Sequence, residues 1–129
     1  MSRYVPILHE HAPSALYDLE RLMDERGLLT LHLLQDNSRR RTLVFDGYLA
    51  YRKRDEGSAL KTLGEVKDSG GLGASFYRVE ESEFLAWFEA DGHGVNRGRG
   101  WMHVAVMTVN DIIDVICRQV PLFAISGDR

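Results

Sequence analysis

Apolar residues recur at steps of three and four positions over residues 13–26, close to the start of the chain. The repeating positions are Ala15, Leu16, Leu19, Leu22 and Met23. Charged side chains fill many of the positions between them, so the pattern predicts an amphipathic helix. Pro13 and Ser14 suit the first turn of such a helix, and Gly27 lies where a left-handed C-terminal cap is expected.

The period changes to two after this segment. Three leucines within residues 29–33 alternate with polar residues, which is typical of a strand. Residues 36–38 are turn formers, and a second strand over residues 42–52 would complete an antiparallel hairpin. Asp46-Gly47 interrupts that second strand, and a glycine inside a strand often marks a bulge or a bend.

The middle of the chain predicts two further helices separated by a loop and a short strand. One helix opens at residues 55–58 and contains the apolar residues Ala59, Leu60, Leu63 and Val66. The other is capped by Ser82, and its inward-facing side chains are expected to be Phe84, Leu85, Trp87 and Phe88. Between the two helices, residues 68–73 predict a glycine-rich loop and residues 76–79 a short strand.

The last third of the chain predicts three strands. Apolar residues occupy nearly all of positions 101–109, both odd-numbered and even-numbered, which indicates a central strand buried on both faces. Residues 111–117 fit a helix capped by Asn110 or a strand that returns antiparallel to the central one, and we favour the strand. Residues 122–125 predict an edge strand. Helices gathered among hairpins indicate an α+β fold, a mainly antiparallel sheet of about five strands with two or three helices packed on it.

Length, composition and charge narrow the classes of protein. The chain has 129 residues, of which 44% are apolar and 27% charged, with a net charge of −3. That length predicts one globular domain over residues 1–129. No stretch approaches the roughly 20 apolar residues that cross a bilayer, so we expect no membrane contact. The net negative charge argues against a dedicated nucleic-acid-binding protein. A single cysteine excludes an intrachain disulfide framework and fits a cytoplasmic location.

The residues that could carry chemistry form no complete catalytic or metal-binding motif. His9 and His11 have the spacing of a metal pair on a strand, and His93 or His103 could supply a third ligand, but nothing in the spacing requires it. Cys117 lies in an apolar run, which predicts a buried, unreactive thiol, and His103 is expected to be a hydrogen-bonded core residue. We therefore expect no catalytic residue, no metal and no cofactor.

Charge is unevenly distributed along the chain. The basic segment contains Arg39, Arg40, Arg41, Arg52, Lys53 and Arg54, and the acidic segment contains Glu80, Glu81, Glu83, Glu89 and Asp91. The two basic triplets are expected at opposite ends of one strand, ~35 Å apart at about 3.3 Å per residue, so they form no single patch. Three interpretations of this distribution remain open. The two segments are solvated faces, they neutralise each other in the fold, or they form a surface that docks a partner. The acidic segment is our candidate protein-binding surface.

Four ring-bearing residues are candidates for the lining of a ligand pocket. They are Tyr77, Trp87, Trp101 and His103. Packing in the core of a small domain is the alternative use of such side chains, since an apolar pocket and an apolar core draw on the same residue types.

Three segments together suggest a relationship to known proteins. They are residues 45–52, which begin Phe45-Asp46-Gly47, residues 76–88, which begin Phe76-Tyr77-Arg78, and residues 108–115, which begin Thr108-Val109-Asn110. Their order and spacing resemble small single-domain bacterial proteins, some of which are similar to immunity proteins for secreted toxins. The resemblance implies a cytoplasmic, non-enzymatic protein that binds a partner protein, and it carries over no functional residue.

These observations lead to three functional hypotheses. The first is a non-catalytic protein-binding domain, for which the resemblance implies a bacterial toxin as partner. The second is a small enzyme or ligand-binding protein that uses an aromatic-lined pocket. The third is self-association through edge strands, which expose unpaired backbone groups.

Overall fold

The computed structural model describes residues 2–8, 16–70 and 73–128, which form two antiparallel β-sheets and two helices. The strands are β1 (Arg3–Pro6), β2 (Tyr17–Glu25), β3 (Leu28–Gln35), β4 (Arg39–Asp46), β5 (Ala50–Asp55), β6 (Phe76–Glu80), β7 (Met102–Met107), β8 (Asp111–Cys117) and β9 (Leu122–Asp128). The helices are α1 (Leu60–Asp68) and α2 (Glu83–Asp91). The five-stranded sheet has the order β1-β6-β7-β8-β5, and the four-stranded sheet has the order β2-β3-β4-β9.

These elements confirm the α+β class, with mainly antiparallel strands and two helices packed on a sheet. The described strands number nine in two sheets rather than about five in one. The additional four-stranded sheet is not anticipated by the sequence patterns. Side chains alternate across β7, so that Val104 and Val106 pack in the core between the sheets. Ala105 packs with Val66 of α1 on the opposite face. The layers are therefore the four-stranded sheet, the five-stranded sheet and the helices, in that order.

The helix predicted over residues 13–26 is wrong where the structure describes it, because residues 17–25 form β2. A bulge between Leu19 and Arg21 places one extra residue in β2 opposite β3. Leu19 and Leu22 therefore both pack on the core although they are three positions apart. The bulge thus converts the two-residue period of a strand into a spacing that imitates a helix.

The turn after β2 explains why a glycine suggested a helix end. Gly27 does adopt a left-handed conformation, with φ of 82°, and Arg26 before it has φ of 52°. Two successive left-handed residues are typical of the tight turn that joins two antiparallel strands. The predicted first helical turn at Pro13 and Ser14 lies outside the described residues.

The hairpin predicted after this turn is confirmed by β3 and β4, which pair along their whole length. Its second strand ends at Asp46, however, because Gly47 adopts a left-handed conformation with φ of 80° and the chain passes into the other sheet as β5. The prediction of one strand over residues 42–52 is therefore wrong. The two basic triplets lie in different sheets rather than at the ends of one strand.

The edge strand β1 is not anticipated by the sequence patterns, whereas the elements from α1 onwards occur where the sequence predicts them. β7 is the central strand of the five-stranded sheet, β8 returns antiparallel to it, and β9 is an edge strand. Ser82 caps α2 by accepting a hydrogen bond from the Leu85 N–H at 2.9 Å. The inward orientation predicted for Trp87 is wrong, because 59% of it is exposed, whereas Phe84 is buried. In the described part of the chain, both helices lack the length and apolar character needed to cross a membrane.

Candidate functional site

A fully buried carboxylate, Asp114 on β8, is the centre of a polar cluster on the helix-covered face of the five-stranded sheet. Arg52 lies directly opposite it in the β5–β8 ladder, and Arg54 follows on the same face. Asp114 Oδ2 accepts hydrogen bonds from Arg52 Nε at 2.8 Å and from Arg54 Nη2 at 3.0 Å. Two cations thereby compensate one buried charge, which would otherwise be costly to keep out of water.

His103 on β7 extends this cluster to α2. Its Nε2 is 2.7 Å from Asp114 Oδ1, and its Nδ1 is 2.7 Å from Ser82 Oγ. An ionised carboxylate can only accept, so Nε2 carries a proton, and in the neutral ring the Ser82 hydroxyl donates to Nδ1. Because Ser82 Oγ also accepts the Leu85 N–H, a continuous chain of hydrogen bonds joins the first turn of α2 to β5.

The same contacts set the pKa of Asp114. Burial alone would raise this pKa, but the hydrogen bonds and charges of His103 and Arg52 outweigh burial and lower the pKa from 3.8 to about 2. The carboxylate is therefore ionised throughout the neutral pH range. In that state it holds two guanidinium groups and one imidazole in fixed positions.

Ser82, His103 and Asp114 are the residue types of a nucleophilic triad, but their arrangement differs from one. The serine is bonded to Nδ1 and the carboxylate to Nε2, the reverse of the order found in serine proteases. Ser82 Oγ is committed to the cap of α2, and His103 is only 2% exposed. The chain of hydrogen bonds therefore fixes α2 on the sheet and does not position Ser82 to attack a substrate.

A cavity of about 290 Å³ lies beside this cluster, between α1, α2 and β5. Its wall combines basic, acidic and ring-bearing side chains, including Arg52, Arg54, Lys61, Glu65, Glu83, Phe84, Trp87 and His103. The ion pair between Lys61 Nζ and Glu83 Oε1, 2.8 Å long, joins the two helices at the exposed rim. The wall has three basic and two acidic side chains, and two of the bases, Arg52 and Arg54, are already paired with Asp114. The volume is at the small end for a ligand pocket, so the geometry favours no particular small molecule.

The outer face of α2 exposes a large aromatic side chain, Trp87. Its indole is nearly parallel to the Phe84 ring, with centroids 6.0 Å apart, and the Arg52 guanidinium carbon lies 4.1 Å from the Phe84 centroid. Glu83, Trp87 and Asp91 follow one another at four-residue steps, so they share one stripe of the helix. Stacking on Phe84 therefore fixes the orientation of an aromatic group that solvent still reaches.

The acidic segment is only partly neutralised by the rest of the chain. Two members are ion-paired, Glu80 with Arg3 and Glu83 with Lys61. Three members have no ion pair within the residues that the structure describes, namely Glu81, Glu89 and Asp91. The helix region therefore carries free negative charge beside its exposed tryptophan.

The basic residues of β5 form ion pairs with other residues of the same chain. Arg52 and Arg54 bind Asp114, and Lys53 Nζ is 3.0 Å from Asp111 Oδ1. Both acids belong to β8, so the two charged segments do not neutralise each other through β5. The carboxylates of β8 pair with the basic residues of β5, so these bases do not neutralise the acidic segment. Three carboxylates of that segment therefore remain free in the described part of the chain.

The four ring-bearing pocket candidates lie in three different places. Trp87 and His103 line the cavity between α1 and α2. Trp101 lines a separate depression, where the Arg118 guanidinium carbon is 4.6 Å from its ring centroid. Tyr77 is buried in the core. The candidate pocket is therefore reduced to Trp87 and His103.

The remaining candidates for chemistry add no site. His9 and His11 lie outside the described residues, and within the described ranges no three His, Cys, Asp or Glu side chains could hold a metal ion together. Cys117 is buried, as predicted, and burial raises the pKa of its thiol to about 12, which disfavours the reactive thiolate. The buried, doubly hydrogen-bonded His103 confirms the core histidine.

The sequence patterns do not reveal Asp114, Arg52 and Arg54 as a unit. The available signal is Asp114 itself, because a charged residue inside the apolar run 112–117 needs a partner if both faces of the strand are buried. The partners cannot be chosen from sequence without knowing that β5 leaves the hairpin sheet and pairs with β8.

The chain matches no known protein family, no curated protein and no solved structure. A functional inference therefore depends on the exposed chemistry of α2 and on the internal pairing that leaves it charged.

Proposed function

We propose that this protein is a non-catalytic protein-binding domain that docks its partner through the exposed face of α2 and the turn before it. We call this the α2 surface and define it by Glu81, Trp87 and Asp91. Glu89 is half-buried and, two positions from Trp87, lies on the other side of the helix. The observation that carries the proposal is Trp87, which is 59% exposed and yet held against Phe84. Tryptophan is enriched among the residues that dominate binding energy at interfaces. A ring that is already ordered loses little conformational freedom on binding.

Charge supports the same surface. The two carboxylates of the α2 surface, those of Glu81 and Asp91, have no ion pair among the described residues, so they give this face a local negative field. Such a field speeds the encounter with a partner of opposite charge and selects against partners of like charge. The proposed partner therefore presents a basic surface.

The backbone of Glu81 gives further support. Its φ of 52° lies in the left-handed region, which glycine occupies without strain and which is costly for a side chain such as glutamate. Strained backbone positions are often associated with binding or catalysis. A charged, exposed residue at this position is consistent with a role for its carboxylate in docking.

The buried cluster gives the α2 surface a rigid base. The chain of hydrogen bonds from Ser82 through His103 to Asp114 ties the first turn of α2 to the sheet. Arg52 lies over Phe84, the ring on which Trp87 stacks. A surface fixed in this way is preorganised, which lowers the entropic cost of association.

The partner that we propose is a secreted bacterial toxin, which the protein neutralises in the bacterial cytoplasm. This part of the proposal depends on the resemblance of residues 45–52, 76–88 and 108–115 to small bacterial proteins similar to immunity proteins. The second of these segments contains both Glu81 and Trp87, so the resemblance and the exposed chemistry point to the same region of the chain.

A ligand-binding role for the cavity is the second candidate function. The observation that favours it is a wall in which Phe84, Trp87 and Arg52 lie together. The variant Ser58→Trp introduces a large side chain at the exposed edge of this cavity and should block a ligand while leaving the α2 surface free. Loss of function in this variant would favour the cavity, and retention would favour protein binding.

Affinity capture with matched baits tests the protein-binding proposal. Wild type, Trp87→Ala and Leu60→Ala are immobilised and exposed to extract of the native host, with Leu60 as a control because it is 75% exposed on α1. A partner held by wild type and Leu60→Ala should be lost with Trp87→Ala. With the purified partner, Trp87→Ala should weaken binding by at least about tenfold. Equal affinity of all three baits would refute a docking role for Trp87.

A further inference from the structure

Guanidinium groups lie over aromatic rings at two places in the described part of the chain. Arg52 is 4.1 Å from the centroid of Phe84, and Arg118 is 4.6 Å from the centroid of Trp101. These contacts are favourable because the negative face of an aromatic ring attracts a cation, and tryptophan attracts it most strongly. Trp87, the more exposed of the two tryptophans, has no cation over its ring among the described residues.

Acidic side chains flank this uncovered ring. Trp87 lies on one stripe of α2 between Glu83, four residues before it, and Asp91, four residues after it. Glu83 is engaged by Lys61, whereas Asp91 is exposed and has no ion pair in the described part of the chain. An indole face beside a free carboxylate can offer one cation both a stacking contact and a hydrogen bond.

We propose that the α2 surface recognises an arginine side chain of the partner protein, whose guanidinium stacks on the exposed indole of Trp87 and hydrogen-bonds to the Asp91 carboxylate. This inference rests on the proposed function, because it names the group by which the partner is recognised. A guanidinium is planar, weakly hydrated and rich in donors, so it can stack and hydrogen-bond at the same time. The ammonium of lysine is compact and strongly hydrated, and it cannot stack.

The internal contacts of the chain support arginine over lysine. Both cations that lie over rings are arginines, although the described residues also include Lys53, Lys61 and Lys67. Lys61 reaches α2 but bonds to the Glu83 carboxylate. Among the described residues, two aromatic rings therefore pair with guanidinium, whereas Lys53 and Lys61 contact carboxylates.

Two peptides of equal charge, hexa-arginine and hexa-lysine, separate stacking from simple charge attraction. Binding to the full chain is measured by calorimetry and, in a Trp101→Phe variant whose only tryptophan is Trp87, by indole fluorescence. Hexa-arginine should bind about threefold to fivefold more tightly than hexa-lysine and should change the Trp87 emission. Trp87→Leu should remove this preference, and Trp87→Phe should keep part of it.

Single-charge variants locate the bound guanidinium. Asp91→Asn should weaken hexa-arginine more than hexa-lysine, whereas Glu25→Gln makes the same change in net charge on an exposed position of β2 and should leave the preference intact. Equal affinity for the two peptides would overturn arginine recognition while leaving charge-steered docking in place. No binding of either peptide, or a preference that survives in Trp87→Leu, would also overturn it. The proposed function would fail on a different result, namely that Trp87→Ala does not change binding of the partner.

Discussion

Arg52 and Asp114 lie directly opposite each other in the β5–β8 ladder, with Arg52 Nε 2.8 Å from Asp114 Oδ2. Arg54 binds the same oxygen, so β8 compensates the positive charge of β5 inside the protein. The acidic segment is consequently left without these arginines as partners. An internal ion pair thus helps to determine which charge the protein presents to other molecules.

Asp114→Asn should lower the free energy of unfolding by about 2–3 kcal/mol, because a neutral amide cannot compensate two guanidinium groups. The loss stays below that of a fully buried pair because Arg52 and Arg54 are partly exposed. Urea unfolding followed by circular dichroism measures it. The control is Asp111→Asn, which removes the partner of the exposed Lys53 and should cost less than about 1 kcal/mol. Equal losses in the two variants would show that Asp114 has no special role.

The ionisation of Asp114 should contribute to the pH dependence of the free energy of unfolding. Folding lowers its pKa from 3.8 to about 2, so the ionised carboxylate stabilises the fold above roughly pH 4. This contribution, about 2 kcal/mol, is lost as the pH falls towards 2, because the unfolded chain takes up the proton first. The difference in unfolding free energy between wild type and Asp114→Asn should therefore shrink from neutral pH to about pH 2. A difference that does not change with pH would rule out this linkage.

Ser82→Ala should destabilise the protein by about 1–2 kcal/mol, because it removes the acceptor of the Leu85 N–H and the donor to His103. Ser82→Thr keeps the hydroxyl and should keep most of the stability. Urea unfolding measures both variants. A fluorophosphonate reagent, which labels nucleophilic serines, should leave wild type and both variants unmodified. Labelling of wild type that is lost in Ser82→Ala would instead make the serine a nucleophile.

Glu81→Gly should raise stability and slow partner association at the same time. Glycine adopts the left-handed φ of this position without strain, and after the entropy of the unfolded chain is counted the gain is about 0.5 kcal/mol. The matched control, Glu81→Gln, keeps the strain and removes the charge, so it should slow association without raising stability. Unfolding curves and association rates for both variants provide the check. An association rate unchanged in both would remove Glu81 from the docking surface.

Secondary structure was predictable where the apolar pattern is uninterrupted, as in β3 and the buried strand β7. It was not predictable in β2, because the bulge between Leu19 and Arg21 puts apolar residues three positions apart on one face of the strand. The sequence pattern also did not show that the chain leaves the hairpin at Gly47. A glycine in a strand marks a bend but does not show which sheet the chain joins next.

The candidate site was predictable only in its local part. The acidic segment could be identified because its members are close together in sequence, and Ser82 could be assigned as a helix cap from its position. Arg52 and Asp114 are 62 positions apart, and their pairing depends on a strand order that no local pattern encodes. The exposure of Trp87 likewise follows from how α2 is attached to the sheet, which the sequence alone does not give.

The association rate with the captured partner, compared between two charge-reversal variants, tests the α2 surface most directly. The test variant, Glu81→Lys/Asp91→Lys, reverses the two free carboxylates of that surface and leaves the ion pairs of Glu80 and Glu83 intact. The control variant, Glu20→Lys/Glu25→Lys, makes the same change in net charge at exposed positions of β2.

A docking surface on α2 predicts that at about 0.1 M salt the test variant associates at least about tenfold more slowly than wild type, while the control stays close to wild type. The difference should largely disappear at about 1 M salt, where the screening length falls from about 10 Å to about 3 Å. Dissociation rates should change much less. Equal association rates for the two variants at low salt, with both folds intact, would contradict the assignment of the docking surface to α2.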